Sequence, residues 1–317
     1  MSYADVLFVK MCRDILDTGT NTMGEKVRPH WEDGTPAYTI KQFGVVNRYD
    51  LRKEFPALTL RPTNIPKAVD EMLWIYQRKS NNINDLNSHI WDEWADKDGS
   101  IGKAYGYQIG QTFVHHGEKS ESNSFYNENP DHKEIYPSAW VAYNNDDNMP
   151  DHVIMDQMDA VIYDLKHNPY SRRIITNIYN HKELHEMGLQ PCCWSLTFNV
   201  TQRSGEDKLT LNMVLNQRSQ DVLAANNWNV VQYAVLQHMV AQVCDMNVGD
   251  MLHVIADAHI YDRHVPIIKE LIDRPKFAAP KFILNPEVKN FYDFTPLDVM
   301  IENYETGEQV KNIPIAI

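Results

Sequence analysis

The chain has 317 residues, of which 43% are apolar and 23% charged, a balance that excludes a disordered polymer and supplies enough apolar material for a sizeable core. The formal net charge of −13 argues against general nucleic-acid binding, although a few arginines can reverse the field in one pocket and admit a small phosphorylated ligand. No apolar run is long enough to span a bilayer, and the N-terminal segment carries acids among its apolar positions without a cleavage signature, so the expected compartment is the cytoplasm.

Ala4, Phe8, Met11 and Ile15 recur at helical spacing and predict an amphipathic first helix. Residues 21–50 read as a turn-rich approach to strands. Val69, Met72, Leu73 and Tyr76 share a face and predict a helix over Lys67 to Gln77. Residues 112–150 are polar and rich in Asn, Asp, His and Tyr, with regular patterns resuming on both sides, which predicts a surface insertion rather than a linker. Val153 to Lys166 reads as a helix, stopped by Asn168 and Pro169.

Three strands then follow from alternation. Trp194, Leu196, Phe198 and Val200 form one set, Leu209, Leu211, Met213 and Leu215 a second, and His253, Ile255, Asp257, His259 and Tyr261 a third. Between the last two, residues 226–243 are apolar nearly all round, the pattern of a helix buried in the centre of a large domain. Strands and helices mix without strict alternation, so the expected fold is α+β in a single domain, 1–317.

Several chemical patterns are open on the residues alone. Cys12, Cys192, Cys193 and Cys244 form no CxxC pair, and a buried thiol is the ordinary reading of each. Cys192 and Cys193 are adjacent and would face opposite sides of a strand; activating either requires a nearby cation or helix N-terminus, and Arg218 qualifies if the strands pair suitably. Arg28, Arg172, Arg173 and Arg218 sit near turns or strand ends and suit a phosphate dianion, but scattered ion pairs explain such residues equally. Metal patterns fail: His181 and His185 lack the following Glu of a zinc-protease helix, and the loop around Asp96 and Asp98 lacks the outer ligands of a calcium site. His115 and His116 lie in the polar insertion and read as solvated. No metal site is expected.

Leu189-Gln190-Pro191-Cys192, followed by Gln217-Arg218-Ser219-Gln220-Asp221, resembles the thymidylate synthase family. The resemblance extends through Phe55-Pro56 with Thr59, Glu71-Met72-Leu73-Trp74, Ile90-Trp91-Asp92-Glu93-Trp94, Tyr105-Gly106, Ser171-Arg172-Arg173-Ile174, Asn229, Asp257-Ala258-His259-Ile260-Tyr261 and the terminal Ala316-Ile317. It covers nearly the whole chain outside 112–150, and the shared order of the motifs is what makes it specific.

The resemblance implies methylation of dUMP to dTMP with 5,10-methylenetetrahydrofolate as co-substrate. It also implies a homodimer built back to back through a mixed sheet, with the strands holding Leu209 to Leu215 and Phe198 to Val200 supplying apolar interface faces. Cys192 would be the nucleophile, with Glu71, Tyr105, Asn229, Asp221 and Arg218 in the catalytic set. The dUMP phosphate would meet Arg28, Arg218 and Ser219 of one subunit and Arg172 and Arg173 of the other. Those cations would favour Cys192 as thiolate. Asn229, held by Gln217, would read the uracil edge, and His259 and Tyr261 the ribose. The folate would lie against Ile90, Trp91, Trp94, Leu189, Ala225 and Trp228, with Asp221 on the pterin and the tail through Ala316 closing over it. Four positions depart from the common family pattern: Cys193 stands where many members carry histidine, Arg61 where many carry lysine, and Ala225 and Asn227 where a glycine and a proline are common. The nearest alternative is a dUMP or dCMP hydroxymethylase on the same fold, in which water rather than hydride completes the reaction. An RNA-binding protein without catalysis is disfavoured by the charge.

Overall fold

The computed structural model describes residues 1–116 and 152–317, and side chains outside 114–154. The first helix, α1 (Tyr3–Thr18), buries Ala4, Phe8, Met11 and Ile15 as the spacing predicts. Strands β1 (Thr20–Asn21) and β2 (Thr39–Asp50) follow. Helix α2 (Ile65–Tyr76) begins two residues before Lys67. The Asn64 side chain accepts the Lys67 N–H and Pro66 occupies the first turn, where its missing N–H costs nothing.

After α3 (Gly106–Ile109), strands β3 (Phe113–His116) and β4 (His152–Met155) pair antiparallel at the two ends of the expected insertion. Residues 117–150 of that insertion lie outside the described residues, as do the side chains of His115 and His116. The helix expected over Val153 to Lys166 is corrected here. Val153 to Met155 are strand, and α4 runs Gln157–His167. The boundary is chemical: the Asp156 carboxylate accepts the Met158 and Asp159 N–H groups and so caps the helix one residue ahead of its start.

The central sheet is built from β5 (Ile175–Asn177), β6 (Cys193–Thr201), β7 (Thr210–Gln217), β8 (Gln220–Asp221) and β9 (Asn247–Tyr261), together with β1 and β2. Its order is β1-β2-β9-β7-β6-β5, with β8 also on β9. β7 and β8 run parallel to β9 and the other neighbours are antiparallel, so the sheet is mixed. Helix α5 (Asn226–Val243) crosses one face, and Val230, Val231, Ala234, Val235, Leu236 and Met239 are all buried, as its apolar circumference predicts. Helix α6 (Val265–Ile272) and the hairpin β10 (Lys281–Leu284) with β11 (Val299–Glu302) complete the described chain. Among the described residues no helix is long and apolar enough to cross a membrane.

The two sheet faces differ from expectation. Phe198, Val200, Leu211, Met213 and Leu215, the expected interface residues, are buried in one core with α2 and α5 of the same chain. Period two forces this, because their apolar side chains all lie on the face α5 covers. On the opposite face, cross-strand neighbours Ile175–Thr197–Val214–Leu252 run side by side. Ile175 and Val46 are about half exposed there, at 48% and 55%.

Candidate active site

Strand register assembles the site. Cys193 lies opposite Gln217 across β6 and β7, so the residues just outside each strand, Cys192 and Arg218, are brought side by side. The Arg218 N–H donates to the Cys192 carbonyl at 2.9 Å. The Arg218 guanidinium donates to the carbonyls of Pro191 (2.9 Å) and Gln190 (2.8 Å), and its Nη2 lies 3.7 Å from Cys192 Sγ. The pairing that a cation next to Cys192 required is therefore present. Arg28, from the loop before β2, also acts electrostatically on Cys192 and Tyr261.

Of the four cations expected around the thiol, Arg218 and Arg28 act on it within this chain. Burial raises the Cys192 pKa, and Arg218 and Arg28 offset this only in part, so the thiol stays above its ordinary value. Cys193 is buried deeper, among Tyr233, Tyr105 and Glu71, and its pKa is pushed up further by burial. Its neighbours are the tyrosine pair Tyr76 and Tyr233, whose hydroxyls are 3.4 Å apart.

Tyr105 joins the two sides. Its hydroxyl accepts the Cys192 N–H at 3.3 Å, and its ring packs edge-on against Trp91 at 4.7 Å. It holds φ +47°, a left-handed conformation that a tyrosine rarely adopts, at the N-terminus of α3. The next residue explains why the turn is so tight: a Cβ on Gly106 would lie 2.1 Å from the Ser80 carbonyl oxygen.

Glu71, on the buried face of α2, accepts the Trp228 indole N–H at 2.6 Å. Burial raises its pKa to about 7, against the hydrogen bond from Trp228 and the influence of Trp91 and Gln232. Trp91 Nε1 and Gln232 Nε2 face this carboxyl but complete no hydrogen bond by distance and angle among the described residues. Trp91 stacks edgewise on Trp94 (5.8 Å) and Leu189 packs partly buried nearby, against the same core as Trp228. Ile90 is 42% exposed.

From α5, the Asn229 Nδ2 donates to Gln232 Oε1 at 3.2 Å, and its Oδ1 accepts from Gln217 Nε2 at 3.4 Å. Gln217 also donates to the Ser219 carbonyl at 2.9 Å. Before α5, the Asp221 carboxylate accepts the Leu223 and Ala224 N–H groups, both at 3.0 Å, and faces His264 at 3.4 Å. Burial raises the Asp221 pKa, but His264 and the backbone donors outweigh it and hold the carboxyl below its ordinary value. These bonds shape the loop in which Ala225 ends, and Asn227 locks it by accepting the Leu58 N–H at 3.1 Å and donating to Thr63. Arg61 donates to the Leu223 carbonyl of the same loop.

On β9, His259 Nδ1 contacts Asp257 at 2.8 Å and the His259 ring meets Tyr261 edge-on at 5.1 Å. β8 pairs Asp221 with His259, which ties the loop to this strand. The tail lies close by. Ile317 and His30 exchange backbone hydrogen bonds at 2.8 and 3.0 Å, and His264 donates to the Pro314 carbonyl at 2.8 Å. Ala316 is placed between them.

Arg172 and Arg173 are not brought to Cys192. Both are exposed beside β5 and make no ion pair among the described residues. Three polar groups of the site, His253, Gln232 and His264, are not singled out by the sequence. His253 shares the period-two face of His259, and Gln232 lies one helical turn after Asn229, but neither spacing separates them from ordinary core residues.

Fold and site together define a class: an α+β enzyme whose thiol, guanidinium and buried carboxyl converge at one end of a mixed sheet. The thymidylate synthase family model matches residues 7–316. The chain is 36% identical to thymidylate synthase 1 of Bacillus subtilis (strain 168) over 314 residues, 98% of both chains, and 34% identical to the thymidylate synthase of Bacillus phage phi3T over the same length and share. Its structure is similar to that of thermostable thymidylate synthase A from Bacillus subtilis, with a TM-score of 0.80 over 99% of both chains at 34% identity. This chain belongs to the thymidylate synthase family.

Proposed function

We propose that this chain converts dUMP to dTMP, with 5,10-methylenetetrahydrofolate as co-substrate. The observation that carries the reading is the pairing of Cys192 Sγ with the Arg218 guanidinium at 3.7 Å, backed by a buried Glu71 whose pKa is raised to about 7. The first group suits addition to an electron-poor ring beside an anion. The second suits proton transfer near neutral pH.

Arg28 and Arg218 hold the phosphate, with the Ser219 hydroxyl. The Arg218 guanidinium beside Sγ favours the anionic sulfur, so Cys192 releases its proton to solvent as its sulfur bonds to C6 of uracil. The electron pair of the C5–C6 double bond moves toward C5 and O4. Asn229 polarises O4 and accepts from N3–H. Glu71 takes the C5 proton and returns protons toward O4, and Tyr105 orients this path from Cys192. His259 and Tyr261 hold the ribose. Expulsion of Cys192 from C6 restores the ring double bond.

The residues present fit a flat heteroaromatic ligand. Trp91, Trp94, Trp228 and Leu189 supply apolar walls, Ile90 and Ala225 the rim, and Asp221 an ionised carboxyl. When bound there, the folate supplies the one-carbon unit and the hydride. The tail through Ala316, already anchored at His30 and His264, excludes water.

A homodimer through the open sheet face is part of the proposal. The row Ile175–Thr197–Val214–Leu252 and the half-exposed Val46 support it, and so does the position of Arg172 and Arg173, free of ion pairs among the described residues next to β5. Each pair of arginines would then serve the partner's phosphate site. Inactive Cys192→Ser and Arg172→Glu subunits, mixed and reassociated, should regain activity; with exchange demonstrated, no recovery removes the shared site.

The product of dUMP and methylenetetrahydrofolate tests the whole reading by mass. The methylated nucleotide is expected. A hydroxymethyl product would replace the reading by the hydroxymethylase alternative, and no product would end both.

A further inference from the structure

His253 has no role in the steps proposed above, yet it starts a one-way chain of hydrogen bonds that ends at Glu71. Its Nε2 lies 2.7 Å from Gln217 Oε1. Gln217 Nε2 then donates to Asn229 Oδ1 at 3.4 Å, Asn229 Nδ2 donates to Gln232 Oε1 at 3.2 Å, and Gln232 Nε2 faces the Glu71 carboxyl. Every amide in this chain has its nitrogen toward Glu71 and its oxygen toward His253. His253, Gln217 and Gln232 are buried, with exposures of 0%, 2% and 3%.

We propose that His253 is a specificity-positioning residue: as the Nε2–H tautomer it fixes, through Gln217, the direction in which the Asn229 amide is presented to the base. This rests on the reading of Asn229 as the base-contacting amide.

An amide has two N–H groups and two carbonyl lone pairs. Asn229 uses one of each internally, on Gln232 and Gln217. One N–H and one lone pair remain, and together they match O4 and N3–H of uracil. Reversing the amide would present the opposite order, which matches the 4-amino group and bare N3 of cytosine. The direction is therefore the discriminator, and something that cannot itself reverse must set it. Two groups do so. The Ser219 carbonyl can only accept, and it takes the Gln217 nitrogen at 2.9 Å. His253 supplies the matching donor to the Gln217 oxygen.

The tautomer is fixed in turn by burial. His253 Nδ1 has no hydrogen-bond partner among the described residues, so a proton there would be a buried donor without an acceptor, while a proton on Nε2 meets Gln217. Burial also lowers its pKa to about 3, which keeps the ring neutral at working pH. Ring and amides are thus locked by the same scarcity of partners.

His253→Leu leaves the Gln217 oxygen buried without a donor and removes one of the two groups that set the amide direction, so the reversed amide becomes less costly. The dUMP:dCMP ratio of kcat/KM should fall at least about tenfold, with dCMP turnover rising in absolute value. His253→Gln, which retains an N–H donor, should keep the ratio within about threefold of wild type. A merely structural role would lower both nucleotides together and leave the ratio unmoved, and that result overturns the proposal. The wild-type chain provides an arm independent of folding in any variant and of catalysis: ¹⁵N shifts of the His253 imidazole should show the Nε2–H tautomer from pH 5 to 8, and an Nδ1–H or doubly protonated ring overturns it. Calorimetry with dUMP separates the two readings. A wild-type chain that fails to bind dUMP sinks the proposed function, whereas dUMP binding and turnover with an unmoved ratio sinks the role of His253 alone.

Discussion

The two sides of the site control charge by opposite means. On the Cys192 side, a partly exposed edge carries Arg218 within 3.7 Å of the sulfur, and Arg28 nearby, yet burial still outweighs them and the thiol pKa stays raised. On the Glu71 side, burial and then the hydrogen-bonding groups Trp228, Trp91 and Gln232 act on the carboxyl, with the like charge of Asp70 adding to burial, and it is held at a pKa of about 7. The first side has charge in reserve and lacks an anion to balance it; the second excludes charge until a proton leaves. A cation beside a buried thiol offsets part of its desolvation, whereas desolvation is the largest cause that brings a carboxyl near neutrality.

The largest test of this contrast is Cys192→Ser against Cys193→Ser. The first should lower kcat at least about 10³-fold, as removal of a nucleophile does. The second should retain most activity, because its thiol lies deeper, against Tyr233. With 5-fluoro-dUMP and folate, peptide mapping should place the covalent adduct on Cys192; an adduct on Cys193 reverses the two assignments.

Next comes Glu71→Gln, expected to lower kcat about 10²- to 10⁴-fold, the usual range for a general acid–base group. The inflection near pH 7 in the wild-type rate profile should vanish with it. Stability supplies an independent reading. Folding raises this carboxyl from its ordinary 4.5 to about 7, so the native state binds more protons between those values. The stabilisation from the protonated group is fully present below pH 4.5 and is lost as pH rises through about 7. Relative to Glu71→Gln, the wild-type unfolding free energy should therefore decline across that window and stay level above it. Parallel curves would mean that Glu71 is not held protonated by the fold.

Arg28→Ala probes the other side at smaller cost. Losing one charge-assisted hydrogen bond to phosphate should raise KM for dUMP about tenfold or more with little change in kcat. A fall in kcat with KM unchanged would place Arg28 outside the phosphate site. The smallest expected effect is Trp228→Phe. Its indole N–H favours the ionised form of Glu71, so its removal should move the inflection upward by less than about one pH unit. Movement downward would show that the indole acts on Glu71 by burial rather than by its hydrogen bond.

Much of the scaffold was legible. The period-two sets of β6 and β7 and the all-round apolar helix α5 are where the pattern places them, because burial on one face of a sheet leaves few alternatives for alternating side chains; in β9 the alternation holds to Ile255, beyond which Ala258 and Ile260 of the other face are buried as well. Val153 to Met155 differ from the expected helix for a definite reason: three apolar residues fit a strand and a helix turn equally, and the Asp156 cap that separates them is visible only once its N–H partners are known. The interface residues were misread because an apolar strand face carries no label saying whether a helix of the same chain or a second subunit covers it. Phe198, Leu211 and Met213 turn out to lie in one core with residues of α2 and α5.

By itself, the sequence determined the α+β character, the order of the motifs along the chain and hence the family, because periodicity and residue type are local properties. The partners of each group follow from its three-dimensional surroundings. The Cys193–Gln217 register that seats Arg218 on Cys192, the burial that raises Cys192 and Glu71, and the direction of the amides from His253 to Asn229 all depend on residues far apart in sequence. Hydrogen-bond direction and desolvation are set by what surrounds a group in space, and a linear pattern does not carry that information.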